Sequence, residues 1–254
     1  MIILHLTDIH ADIHNPQSFL SRFQGMLKAL SCLPPAWKPD VIALTGDFGY
    51  LASEQEFRLS ELCIRLLFEE TNLAGSQVIS CEGNHDAEYT YSQNSFGQYK
   101  KFVKRLGIAE RSLCINGISF FSINTCTQTT PDLCDHAVLT NTAPYTLPEN
   151  SVLIMHHPPH LVTPSCTLKN MTKRCPLILS GHVHPASPSV TLFGNAVSEN
   201  GCAFTPLEHD APWGCQLIRC ESLLPGFTIE IGSLLASSEQ NPDFHFSVET
   251  HHLQ

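Results

Sequence analysis

Five short apolar stretches of this chain each stop at residue types that bind metal ions. IILHLT (2–7) runs into Asp8-Ile9-His10, and DVIALT (40–45) into Gly46-Asp47. SQVISC (76–81) leads to Gly83-Asn84-His85-Asp86, SVLIM (151–155) to His156-His157, and CPLILS (175–180) to Gly181-His182-Val183-His184. Short apolar runs rich in Val, Ile and Leu read as buried strands. In an open α/β sheet, ligands gather beyond the carboxyl ends of the strands. A lone histidine after a strand is ordinarily structural or solvated. Carboxylate, imidazole or amide at five successive strand ends is hard to produce by chance, and it requires a fold that brings those ends together.

The segments between the runs support such a fold. SFLSRFQGMLKALSCL (18–33) has apolar residues at 19, 20, 23, 26, 27, 30 and 33, which is helical spacing, with Ser18 as its expected cap. Residues 53–70 and 96–107 read as two further helices, the first opened by the capping box Ser53-x-x-Glu56 and the second closed by Gly107. After residue 110 the character changes. Asn116-Gly117 marks a hairpin turn within 112–125, and strands are expected near 189–197, 214–222, 226–235 and 244–252. Residues 125–150 read as a loop that could act as a specificity lid. The tail ETHHLQ reads by default as a frayed terminus. The order implies an α/β protein with a mainly parallel sheet followed by a more mixed one, in a single domain over 1–254: a motif-bearing core (1–185) and C-terminal strands (186–254).

The ligand types narrow the metal. Cysteine is absent from these strand ends, and imidazole mixed with carboxylate suits Mn, Fe, Zn or Co better than Ca or Mg. Seven or eight ligands are too many for one ion with open positions, and they suit two ions sharing a carboxylate. The formal charge of -10 argues against a protein that grips nucleic acid through its phosphates. Eleven cysteines without a Cys-x-x-Cys pair read mainly as small buried hydrophobes of a reducing compartment. The start MIILHLTD lacks a basic segment and a cleavage site, and no apolar run approaches a membrane span, so a cytoplasmic location is expected.

The ordered set DIH (8–10), GD (46–47), GNHD (83–86), MHHPP (155–159) and GHVH (181–184) resembles the calcineurin-like metallophosphoesterases. The resemblance implies a four-layer α/β/β/α sandwich with two mixed sheets and a dinuclear metal site. Carried over by position, it implies that Asp8, His10 and His184 hold one ion, that Asn84, His156 and His182 hold the other, and that Asp47 bridges them. His156 is preferred to His157 because the family pattern puts the ligand at the strand's end. The cofactors implied are two divalent or trivalent transition-metal ions (Mn, Fe or Zn). A hydroxide bridging them would attack phosphorus. His85 would protonate the leaving oxygen or steady its charge, and Asp86 would either orient the His85 ring or merely stabilise the turn. The second Asp-x-His, Asp12 and His14, lies past the strand and reads as loop. His5 reads as core, and His136, His160 and His209 as loop residues that could reach substrate.

Within the superfamily, KPDVIALTGDFG (38–49) and GNHD most resemble the class III cyclic-nucleotide and glycerophosphodiester phosphodiesterases, which makes a small phosphodiester the expected substrate. The alternatives are an SbcD-type nuclease, against which the acidity argues, a small-molecule phosphomonoesterase, and a non-catalytic scaffold. Protein phosphatases usually read Gly-Asp-x-x-Asp-Arg and Gly-Asn-His-Glu, whereas here Phe48-Gly49-Tyr50 follows Asp47 and the later block ends in Asp86. Lipid-A pathway hydrolases replace His85 with arginine.

Overall fold

The computed structural model describes residues 1–89, 94–109, 111–130, 134–135, 137–139, 146–205, 211–220, 228–236 and 243–252. The chain builds two large sheets, the first from its two ends and the second from its middle. In the first, β1 (Ile2–Leu6), β2 (Val41–Leu44) and β3 (Val78–Ser80) run parallel, separated by α1 (Pro16–Ser31) and α2 (Glu54–Thr71). After α3 (Gly97–Leu106), the hairpin of β4 (Ser112–Ile115) and β5 (Ile118–Ser122) opens the second sheet. Then follow β6 (Ala137–Val138), β7 (Ser151–Ile154), β8 (Val162–Thr163), α4 (Ser165–Met171), β9 (Leu177–Ser180), β10 (Ser189–Phe193) and β11 (Ala196–Asn200). β12 (Trp213–Cys220), β13 (Thr228–Ala236) and β14 (Phe244–His252) return to the first sheet. The orders are β14-β13-β12-β1-β2-β3 and β10-β11-β9-β7-β5-β4, with β6 and β8 as a separate parallel pair. Both large sheets are mixed: β5, β7, β9 and β11 are parallel, and β12 lies antiparallel to β1.

Strand alternation divides the core in three. On β1, Leu4 and Leu6 face α1–α3 together with Phe19, Phe23, Phe57 and Phe102. Ile3 faces the opposite sheet and packs with Val41, Ile79, Phe120, Val152, Leu179 and Ile218. On the far side of the second sheet, Leu153 and Ile178 meet Leu168 and Met171 of α4 and Ala137 and Val162 of the small pair. Because both faces of the central strands are covered, their sequences are apolar without alternation. This is the expected four-layer α/β/β/α arrangement, although its last layer holds only one seven-residue helix and the β6–β8 pair.

Several local expectations change. α1 begins at Pro16, two residues before Ser18, because proline suits the first turn of a helix, where no N–H is needed. Asp12 accepts from the backbone N–H of His14 (2.8 Å) and Asn15 (3.1 Å), so the second Asp-x-His shapes the approach to α1. The 125–150 stretch contains β6, anchored on β8. The ETHH part of the tail (249–252) belongs to β14, which runs along the whole of β13. α4 has neither a side-chain cap nor a strong pattern, and burial of Leu168 and Met171 accounts for it. Asn116 and Gly117 both take positive φ (51° and 78°), as a two-residue hairpin turn requires. All eleven cysteines are unpaired, seven of them buried. Among the described residues, no helix is long and apolar enough to cross a membrane.

Candidate metal centre

β1, β2, β3, β7 and β9 all end at one edge of the sandwich, and the chain turns sharply there. Asp8, His10, Asp47, His182 and His184 have φ between 44° and 76°, a region that non-glycine residues seldom occupy. Concentrated strain of this kind marks functional sites. The turns interlock: Asp8 N–H donates to the Gly46 carbonyl (3.1 Å), His10 N–H to that of Asp47 (3.0 Å), and Gly181 N–H to that of His156 (2.9 Å). The β11–β12 connection joins them, with Phe204 N–H on the Thr7 carbonyl and Thr205 N–H on that of Asp8. Gly46 has φ +93°, and a Cβ there would lie 2.6 Å from Gly83 N, so the two turns meet only because neither residue has a side chain.

Two clusters result. The ligand atoms of Asp8, His10 and His184 lie within 4.8 Å of one another, and so do those of Asp47, His156 and His182. Asp47 sits between the clusters. Its Oδ1 accepts from His85 N–H (2.8 Å), and its Oδ2 lies 3.3 Å from His156 Nε2 and 3.7 Å from His10 Nε2. Asp8 Oδ1 lies 3.1 Å from His184 Nε2. Asn84 Oδ1 is 2.8 Å from His156 Nε2 and 3.0 Å from His182 Nδ1. All seven residues expected to be ligands are therefore brought together from five segments. His157 turns away and bonds Thr125 and Cys134.

The chemistry of the donors fits cations. His156 Nδ1–H donates to the Thr45 carbonyl (2.7 Å), and His10 Nδ1–H donates to that of Gly49 (3.2 Å). The Nε2 of each ring then faces oxygens that can only accept: Asn84 and Asp47 for His156, Asp8 and Asp47 for His10. Acceptor facing acceptor is repulsive unless a proton or a metal ion stands between them. The titration behaviour agrees. Burial works against ionising Asp8 and Asp47, yet His184 beside Asp8 and His156 beside Asp47 hold both carboxyls well below the usual range. His156 loses charge to burial but is raised to about 9 by Asp47, whereas burial pushes His10 down to about 4.

Of the two tasks expected of Asp86, its contacts serve the turn. Its carboxylate accepts from the backbone N–H groups of Asp47 (2.9 Å), Gly83 (2.9 Å) and Phe48 (2.8 Å), which ties the second and third turns together. Burial and the charge of Asp47 push it up to about 8 despite those donors. The His85 ring is oriented instead by the Tyr50 carbonyl, which accepts from Nδ1–H at 2.9 Å. Sequence reasoning missed Tyr50, whose ring stacks on His10 at 4.5 Å between centroids. Only the short spacing after Gly46-Asp47 hinted at it. His5 is core, as expected, but polar core: Nδ1 lies 2.6 Å from Glu199 and Nε2 2.9 Å from Thr45 Oγ1. His160 is exposed, and His136 and His209 lie outside the described residues.

Residues 1–186 match the family model for calcineurin-like phosphoesterases, a span that ends just past His184. The chain belongs to the calcineurin-like phosphoesterase family. The family binds metal and hydrolyses phosphate esters. Solved structures similar to this chain include TT1561 of Thermus thermophilus (13% identity, 100% of this chain and 99% of that one, TM-score 0.49). Vps29 of Entamoeba histolytica complexed with zinc is another (14%, 98% and 99%, TM-score 0.45), and so is the phosphoesterase YfcE of E. coli (12%, 100% and 100%, TM-score 0.43). No curated protein matches the sequence significantly.

Proposed function

We propose that this calcineurin-like phosphoesterase is a two-metal phosphodiesterase acting on a cyclic nucleotide or similar small diester. The observation that carries the reading is the position of Asp47 Oδ2 between two imidazole-bearing clusters. Asp8, His10 and His184 would hold one ion, Asn84, His156 and His182 the other, and Asp47 both, with Mn, Fe or Zn matching the donors. When bound, such ions acidify water and neutralise phosphate charge. The chain's own part is positional. Asp86 locks the Asp47 and Asn84 turns together. His85 lies 5.1 Å from the His10 ring, and with Nδ1–H held by Tyr50, its Nε2 is the nitrogen that moves a proton to the leaving oxygen.

The choice of a diester rests on the GD and GNHD blocks and on the rim. Tyr50, Leu51, Tyr89 and Val183 are each more than two-fifths exposed. Each is tied to the centre: Tyr50 stacks on His10, Leu51 follows it, Tyr89 OH donates to the Asn84 carbonyl, and Val183 separates His182 from His184. An apolar rim suits a phosphate with organic groups on both sides. The test is a panel assay of the Mn-loaded protein with bis-p-nitrophenyl phosphate, p-nitrophenyl phosphate, cyclic nucleotides, glycerophosphodiesters and short DNA. Preference for the small diesters is expected. Turnover of the monoester alone would make it a phosphomonoesterase, turnover of DNA alone a nuclease, and no metal and no turnover a scaffold.

A further inference from the structure

The outer nitrogens of His10 and His156 are held by main-chain carbonyls. That of His182 is not. Its Nε2 lies 2.7 Å from Oδ1 of Asp135, a carboxylate whose side chain is 72% exposed and which belongs to the connection between β5 and β7. A carboxylate can only accept, so Nε2 carries the hydrogen, and Nδ1 presents its lone pair toward Asn84 Oδ1 at 3.0 Å. The tautomer of this one histidine therefore depends on a loop side chain.

The loop segment is itself held in place, and the second histidine of the HH pair does the holding. His157 is fully buried. Its Nε2–H donates to the Cys134 carbonyl (2.8 Å), one residue before Asp135, and its Nδ1 accepts from Thr125 Oγ1 (2.8 Å). On the other side of Asp135, β6 pairs with β8, Val138 N–H donates to the Thr125 carbonyl (3.3 Å), and Leu139 N–H to that of Thr163 (3.0 Å).

We propose that Asp135 is a positioning residue for the second metal site: it holds His182 in the tautomer and orientation that bind the ion, and His157 clamps the segment that delivers it. This rests on the phosphoesterase reading above. It changes the meaning of the 125–139 stretch, which then tunes metal affinity rather than substrate choice alone. Carboxylate partners of ligand histidines typically change metal affinity or activity 10- to 100-fold when removed.

The experiment titrates Mn2+ into metal-free protein by calorimetry and follows the spin-coupled Mn pair by electron paramagnetic resonance. Asp135→Ala should weaken one of two sites by about 10- to 100-fold, leave the other unchanged, and replace the coupled spectrum with that of an isolated ion. Asp135→Asn, which keeps an acceptor oxygen, should restore most of the loss. The melting temperature of the metal-free protein should be the same in all three, because the side chain is exposed. His157→Gln should reproduce the Asp135→Ala defect, and a folded His157→Gln protein with both affinities unchanged would overturn the clamp. Two sites of unchanged affinity in Asp135→Ala would overturn the proposal while leaving the hydrolase reading intact. A wild-type protein that binds no metal would overturn both.

Discussion

Asp47 does two jobs with one carboxylate. Oδ1 fixes the His85 backbone, and Oδ2 is shared between the clusters. Asp47→Ala should therefore cost both ions, read by elemental analysis after loading and desalting. His85→Ala should keep both ions and lose turnover by about 10²–10⁴-fold, the usual range for a general acid. A variant at Asp47 that retained two ions and normal diester turnover would refute the bridging role. Every one of these side chains was legible in the sequence because metal-binding types at strand ends are rare by chance. The partners that orient them were not. Thr45, Gly49 and Tyr50 act through main-chain carbonyls, which every residue has, so their identities carried no signal. For Asp86 the residue types left two readings open, a partner for the neighbouring acid or a stabiliser of the turn, and three backbone N–H donors nearer to hand capture it.

At the level of elements, α2 links the site to the outer helices. Its capping box was readable as Ser-x-x-Glu, and Glu56 does more than cap: Oε1 also accepts from Tyr50 N–H (2.9 Å), which shapes the turn that holds His85. One turn further, Glu61 meets Arg65 (2.8 Å) and crosses to Arg105 on α3. Burial alone would raise its pKa, but hydrogen bonds from Arg65 and Arg105 hold it below the ordinary 4.5. A carboxyl lowered on folding contributes stability that is fully present above its unfolded pKa and fades as pH falls through the folded one. Glu61→Gln should thus destabilise by about 1 kcal/mol at neutral pH, with the half-exposed Arg65 limiting the effect. In thermal melts across pH, the gap from wild type should be constant above about pH 5 and close at lower pH. A gap that widens in acid would contradict this account. The helix start was visible locally, whereas the Glu61–Arg105 bridge spans 44 positions and had no sequence mark.

Across the whole molecule, the ligands come from both sheets: β1, β2 and β3 supply Asp8, His10, Asp47 and Asn84, and β7 and β9 supply His156, His182 and His184. Bound ions would tie the two sheets together at one edge. Stripping metal with a chelator should lower the melting temperature by about 5–10 °C, the effect of one ion present at a hundred times its Kd in a chain of this length. Re-addition of Mn2+ should restore it. A melting temperature indifferent to chelator and metal would argue against such a link.

Apolar runs, helical spacing and turn residues pointed to two sheets and to metal-binding types at five strand ends, because burial and ligand chemistry are properties of residue type; the four-layer sandwich and the choice of seven ligands among those residues came from the family resemblance. Which nitrogen of each imidazole faces inward, what the second of two adjacent histidines holds, and what the 125–139 stretch contributes had to wait for the folded chain. Those outcomes depend on contacts between segments far apart in sequence. Asp135 against His182, 47 positions away, is the clearest case.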